Sequence, residues 1–194
     1  MAGAAVTAAA ARAVAKNVGF VVCDGGHLPF GPSRFDLVTS FETLEHLEER
    51  GHFLAEIRRV LVEDGVLLLS TPNAHHTRPV DGRPRNPYHM HEYDPGELRR
   101  ELCRFFGWVE LSGQVLDERF RVPPFWDEQE RIRADPRNRW RVTLWRAINK
   151  LPHRLADPLA RRLLGQALFP GEGDYRFEVQ MVDIAPVLLA RCRP

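Results

Sequence analysis

Three short stretches carry side chains able to do chemistry. The first is Glu42, Glu45 and His46, an ExxEH pattern. At offsets of three and four residues these side chains share one face of a helix. Two carboxylates beside an imidazole suit a hard divalent cation such as Mg2+ or Mn2+, and such an ion lowers the pKa of a bound hydroxyl. A plainer use is open to the same residues, because acidic side chains favour a helix N-terminus and His46 can cap or pack locally. The second stretch is NPYHMHEYD, where His89 and His91 stand two apart and, in extended chain, on the same side. Either imidazole can serve as a general base near neutral pH or as a further metal ligand; the competing reading is a solvated loop histidine. The third is Cys23-Asp24-Gly25-Gly26, in which Asp24 taken alone is a turn or cap residue. His75 and His76 read as loop residues, and His27 and His52 show no sign of chemistry.

The elements around these stretches alternate between strand and helix. Val18 to Asp24 (VGFVVCD) is a short β-rich run ending in two glycines, and Phe35 to Phe41 (FDLVTSF) is a second one. Glu42 to Leu61 places Leu44, Leu47, Phe53, Leu54, Ile57 and Val60 mostly at helical spacing, with Gly51 as the expected break. Asp64-Gly65 reads as a turn before the apolar strand Val66 to Thr71. Such alternation predicts an α/β fold with a mostly parallel sheet. Asn73 to Asp94 is a polar loop, long enough to suggest a function. Asp94-Pro95 opens a helix through about Phe106, with Asp as N-cap and Pro at the first helical position. WVELSGQVL is a further strand, and FEVQMVDIAPVLLARC one or two more.

Composition narrows the class. The 194 residues, 44% hydrophobic and 27% charged, fit one soluble domain with a real core. The net charge of +1 argues against a general polyanion binder. Cys23, Cys103 and Cys192 are far apart, which favours a reducing compartment, hence the cytoplasm, over a disulfide framework. No apolar run is long enough to span a bilayer. The Ala-rich start reads as a helix rather than a secretory signal. Nearly all basic residues are Arg, as in GC-rich bacterial genomes. Arg131 to Arg162 differs from the rest, with ten basic residues against Asp135 and Asp157. It predicts two amphipathic helices, the second opened by Asp157-Pro158. They are candidates for contact with a membrane surface, for a grip on an acidic or lipid-linked substrate, or for a lid; nucleic acid is unlikely, since no RNA-binding motif is present.

The run CDGGHLPFGPSRFDLVTSFETLEHL, followed by FLAEIRRVLVEDGVLLLSTPN, resembles the class I S-adenosylmethionine-dependent methyltransferases of the type 11/23 kind. The linked motifs cover Ala4 to about Gly113. The resemblance implies a Rossmann-like three-layer sandwich and S-adenosylmethionine as methyl donor. It implies that Asp24 accepts from the adenine amino group, that the Gly25 N–H serves a ring nitrogen, and that Leu28 contacts the ring. Ser40 and Phe41 would border the methionine end. The ExxEH pattern resembles the metal site of ubiquinone-pathway and small-RNA O-methyltransferases, which implies Glu42, Glu45 and His46 as ligands of Mg2+. Glu45, His46 and His91 are then the expected catalytic groups. The implied reaction is methyl transfer to an O or N nucleophile of a small-molecule, glycan or lipid-linked acceptor.

The family's glycine-rich first motif belongs before the Ala-rich helix, so the resemblance implies a domain N-terminally truncated to its third helix. The expected organisation is a partial cofactor-binding core over 1–116, a helical insert or lid over 117–175 and C-terminal strands over 176–194. Without the first two strands, the runs Val18 to Asp24 and Phe35 to Phe41 lose their neighbours; either the first run moves in beside the second, or a partner fills that sheet edge, or the chain is poorly stable. The alternative to an enzyme is a non-catalytic pseudo-methyltransferase that binds a partner.

Overall fold

The computed structural model describes residues 17–116 and 139–194. Five strands form one sheet in the order β1-β2-β5-β3-β4. They are β1 (Phe35–Phe41), β2 (Leu61–Pro72), β3 (Trp108–Leu116), β4 (Tyr175–Glu178) and β5 (Val187–Arg193). β1 runs parallel to β2, whereas β5 is antiparallel to both β2 and β3, and β3 to β4. The architecture is α/β and Rossmann-like, as expected, but the sheet is mixed and mostly antiparallel rather than mostly parallel. The excess of antiparallel pairs comes from the C-terminal strand pair, whose strands the sequence showed without their direction.

The helices are α1 (Arg50–Val60), α2 (Ala74–Thr77), α3 (Pro95–Leu102), α4 (Arg139–Ile148) and α5 (His153–Leu164). One core joins α1, α3 and the sheet: Leu54, Ile57, Leu98 and Leu102 pack against Leu67, Leu69, Leu111, Leu188 and Ala190. Alternating strand residues supply this face. Each buried leucine contributes about 1.5–3 kcal/mol. α3 begins with a capping box in which the Asp94 side chain accepts from Glu97 N–H and the Glu97 carboxylate accepts from Asp94 N–H. Gly113 lets β3 pass close to the 181–185 turn, since a Cβ there would sit 2.5 Å from Ala185 Cβ and from the Met181 carbonyl.

Several expectations are corrected. Val18 to Asp24 is not a strand: Val18, Phe20, Val21 and Val22 are exposed, and the segment's bridge is a local one from Asp24 to His27. A strand needs a ladder partner for its N–H and C=O groups, and the described sheet begins at β1. The break between β1 and α1 falls before Gly51, which lies inside α1; a 3₁₀ turn, Leu44–His46, precedes it. Asp64-Gly65 turns within β2 rather than before it, where the register jumps from Phe35↔Leu61 to Leu37↔Val66. α5 starts at His153, and Pro158 lies inside it. Asp157 is not its cap, because its carboxylate accepts instead from Leu168 N–H and Arg161. The Ala-rich helix and residues 117–138 lie outside the described residues.

α4 and α5 make a second core of their own, with Val142, Trp145 and Ile148 against Ala156, Ala160, Leu164 and Leu168. The Trp145 indole N–H donates to the Leu168 carbonyl, which ties the loop after α5 to α4.

Candidate functional site

The ExxEH stretch lies just beyond the carboxyl end of β1, the edge at which open α/β sheets bind ligands. Because the chain makes a 3₁₀ turn there rather than a regular helix, Glu45 and His46 stay together while Glu42 bonds to Ser70. Glu45 is fully buried. Its Oε2 accepts from the Thr71 hydroxyl at 3.1 Å, while Oε1 has no hydrogen-bond partner. The Glu45 carbonyl accepts from Met90 and His91 N–H, which fastens the 88–92 loop over the turn. His46 Nδ1 lies 2.8 Å from the Tyr88 carbonyl. A carbonyl only accepts, so Nδ1 carries a proton, and in the neutral ring the lone pair is on Nε2. That nitrogen lies 3.8 Å from Glu45 Oε1, and the His46 side chain is 41% exposed.

His89 is the third member. Its ring stands edge-on to His46 with centroids 4.8 Å apart. Its Nδ1 is 2.6 Å from Glu92 Oε1, and the Asn86 amide reaches Nε2 at 2.8 Å. Glu92 is buried, and its other oxygen takes a short hydrogen bond from the Thr77 hydroxyl. Glu45, His46 and His89 each bring one ligand-type atom to within 4.8 Å of the others.

Glu42 and His91, both expected here, have other bonding partners, although Glu42 stays close enough to feel the charges of Glu45, His89 and His46. Glu42 has a left-handed backbone with φ of 48°, an uncommon state for a residue with a side chain. It is held by the Ser70 hydroxyl at 2.7 Å. Burial raises the Glu42 pKa, with Ser70 opposing and the Glu45 carboxylate adding to the rise. His91 stacks edge-on with Tyr93 and faces Glu97 at 3.7 Å. It lines a polar cavity of about 360 Å³ with Arg50, Tyr93, Arg100 and Arg104.

The residues expected at the cofactor lie along α1. Asp24 Oδ1 accepts from Gly26 N–H in its own turn, and its side chain is 78% exposed. Gly25 abuts Phe53, where an added Cβ would come within 3.0 Å of the ring. Leu28 N–H donates to Glu56, whose carboxylate also holds Arg59, and Arg59 returns to the Leu28 and Phe30 carbonyls. The Arg59 guanidinium and the Leu28 N–H hold Glu56 down to about 2. Ser40 and Phe41 end β1, Ser40 buried with an unpartnered hydroxyl and Phe41 exposed.

Residues 2–69 match the methyltransferase domain family. A probable S-adenosylmethionine-dependent methyltransferase of Mycolicibacterium smegmatis is 39% identical over 75 residues, 39% of this chain and 29% of that protein. The chloroplast tocopherol O-methyltransferase of Arabidopsis thaliana is 36% identical over 63 residues, 32% of this chain and 18% of that protein. Over these residues the chain is similar to class I S-adenosylmethionine-dependent methyltransferases. It spans less than a third of the length of these curated relatives. Among solved structures, the (4+2)-cyclase SpnF shares the fold at 20% identity and a TM-score of 0.52, covering 99% of this chain and 62% of that one. A chain of the complex containing the Haloferax volcanii Trm112 methyltransferase activator does so at 16% identity and 0.53, covering 97% and 66%.

Within this methyltransferase fold the site contains residues that reading the sequence missed. Glu92 is the clearest. Its signal was an acid three residues after His89, in a loop otherwise poor in acids. Thr71 and Thr77 carried no signal, because their roles depend on which strand end and which turn they meet. Among the described residues no helix is long and apolar enough to cross a membrane.

Proposed function

We propose that the domain containing this chain transfers a methyl group from S-adenosylmethionine to an O or N nucleophile of a small-molecule, glycan or lipid-linked acceptor. Convergence of Glu45, His46 and His89 at the carboxyl end of β1 carries this reading. The donor supplies an electrophilic methyl on a sulfonium, so the protein's task is to position the nucleophile and remove its proton. His46 is the base: Nδ1–H is tied to the Tyr88 carbonyl, Nε2 has a lone pair, and the ring is open to solvent. Glu45 Oε1 stands behind it as the charge partner that a protonated imidazole needs. His89, held by Glu92, fixes the ring of His46 edge-on. Asp24, Gly25 and Leu28 serve the adenine end, and Ser40 and Phe41 the methionine end, as the family resemblance implies.

A second reading has support from the unpartnered, buried Glu45 Oε1. With His46 and His89, that oxygen would hold a divalent cation after Asn86 leaves His89 Nε2, and the ion would acidify an acceptor hydroxyl. Two imidazoles and one carboxylate suit Mn2+ or Zn2+; Mg2+, which prefers oxygen ligands, fits them poorly. Glu42 stays outside the group.

Calorimetric titration with S-adenosylhomocysteine is the test. Binding that is lost in Asp24→Ala supports the enzyme. No binding, with Asp24 intact and the protein folded, overturns it in favour of a non-catalytic partner module. Methyl transfer that survives a chelator but fails in His46→Ala separates the base from the metal.

A further inference from the structure

We propose that α4 and α5 dock the protein on an anionic lipid surface, with Trp140, Leu151, Leu155 and Leu163 entering the apolar layer. This inference does not depend on methyl transfer. The helices are joined by the short connection Asn149–Pro152, and Val142, Trp145 and Ile148 pack with Ala156, Ala160 and Leu164 as in an αα-hairpin. Both helices also carry an apolar stripe beside this packing. On α4 and its C-terminal extension it is Trp140, Leu144 and Leu151; on α5 it is Leu155, Leu159 and Leu163, with Leu144 and Leu159 partly buried against the hairpin core. The outermost are strongly exposed: Trp140 at 53%, Leu151 at 41%, Leu155 at 63% and Leu163 at 46%.

Helical geometry places both stripes on one side of the pair. At 3.6 residues per turn, each stripe lies about 100–130° from the buried face of its own helix, in the same rotational sense. When one helix folds back on the other, equal rotational senses point to the same side of the plane containing both axes. The pair therefore presents one apolar strip made from two helices.

Charge identifies the partner. Residues 139–164 contain seven basic side chains and a single acid, Asp157, in a chain whose net charge is +1. Asp157 is itself paired with Arg161. By the same helical geometry Arg162 borders the Leu155 stripe, while Arg146, Lys150, Arg154 and Arg161 lie on the polar faces, about 100° or more from the stripes. An apolar face of Leu and Trp backed by Arg-rich polar faces is the pattern of helices that lie in a lipid interface, where Leu and Trp enter the acyl boundary and long basic side chains reach the headgroups. A polyanionic nucleic acid would use the basic faces and leave the exposed Leu side chains without a partner.

The experiment is flotation of the full chain with two vesicle types, phosphatidylcholine mixed with phosphatidylglycerol, and phosphatidylcholine alone. Binding to the mixed vesicles is expected, at least tenfold weaker on the neutral ones and falling with added salt. Leu155→Ser with Leu163→Ser is expected to cut it at least tenfold, and so is Arg154→Glu with Arg162→Glu, which leaves the hairpin core untouched. Brominated lipid should quench tryptophan fluorescence of the unaltered protein, and Trp140→Phe should remove that quenching. No binding to mixed vesicles overturns the proposal, as does binding indifferent to both pairs of substitutions. Quenching that persists in Trp140→Phe overturns it by placing the contact at another face. Self-association, or retention on single-stranded RNA, that disappears with Leu155→Ser and Leu163→Ser while vesicles stay unbound overturns it in favour of that other partner.

Discussion

The two halves of the candidate site are held in opposite ways. Around Glu45, the 3₁₀ turn, the end of β2, α2 and the 86–92 loop interlock through a chain of side chains centred on buried Glu92 and Glu45, from Thr77 through Glu92 and His89 to His46, with Thr71 on Glu45. Around Asp24, the chain lies exposed along one helix and is fastened chiefly by the Glu56–Arg59 clamp. The first half is built by the fold and cannot be removed without damage to it. The second is an attachment, so its residues are free to serve a ligand without a stability penalty.

This contrast can be broken in order of expected effect. Glu92→Ala strands the His89 N–H and the Thr77 hydroxyl in a buried place, and should lower the unfolding free energy by about 2–4 kcal/mol. A shift in urea midpoint corresponding to under about 1 kcal/mol would mean that the interlock is not structural. Thr71→Val removes the donor to Glu45 Oε2 and should lower stability by about 1–2 kcal/mol, read in the same way. Glu56→Gln should leave the melting temperature unchanged while amide exchange at Leu28 accelerates, because the clamp fastens an exposed segment rather than the core. The same clamp has a pH dependence. The Glu56 pKa is lowered to about 2 in the folded chain, so the tie is fully present above the ordinary carboxylate pKa and is lost as pH falls through the lowered value. The Leu28 amide resonance should therefore titrate near pH 2, and a midpoint near 4.5 would show that the clamp does not form. The smallest expected effect on stability is that of Asp24→Ala, indistinguishable from the unaltered protein by melting even where S-adenosylhomocysteine binding is lost. A clear drop in melting temperature would erase the contrast between the two halves.

What the sequence disclosed follows the same division. Periodicity located α1 and β3 because their apolar residues face a single core. Asp94, Pro95 and Glu97 announced the start of α3 through local cap chemistry alone. Val18 to Asp24 has the same β-rich composition as β1 yet forms no strand, since pairing depends on neighbours that composition does not encode. The ExxEH spacing predicts one helical face for Glu42, Glu45 and His46, but with a left-handed backbone at Glu42 and 3₁₀ geometry after it, Glu42 bonds to Ser70. That His89 rather than His91 lies beside His46 depends on Met90 and His91 N–H binding the Glu45 carbonyl. That contact joins residues more than forty positions apart.

The position of β5 in the sheet order has a consequence in time. It stands between β2 and β3, and its pairing of Cys192 with Leu67 closes a loop of more than a hundred residues. Loop closure of that length is entropically slow, and topologies dominated by such contacts fold slowly. Until β5 arrives, the β1–β2 pair has an open apolar edge at β2, and the β3–β4 pair has its own at β3. The chain is therefore most vulnerable to aggregation before its last strand docks, and a substitution that weakens Leu188 or Ala190 in the middle of β5 should prolong that interval as well as destabilise the finished fold.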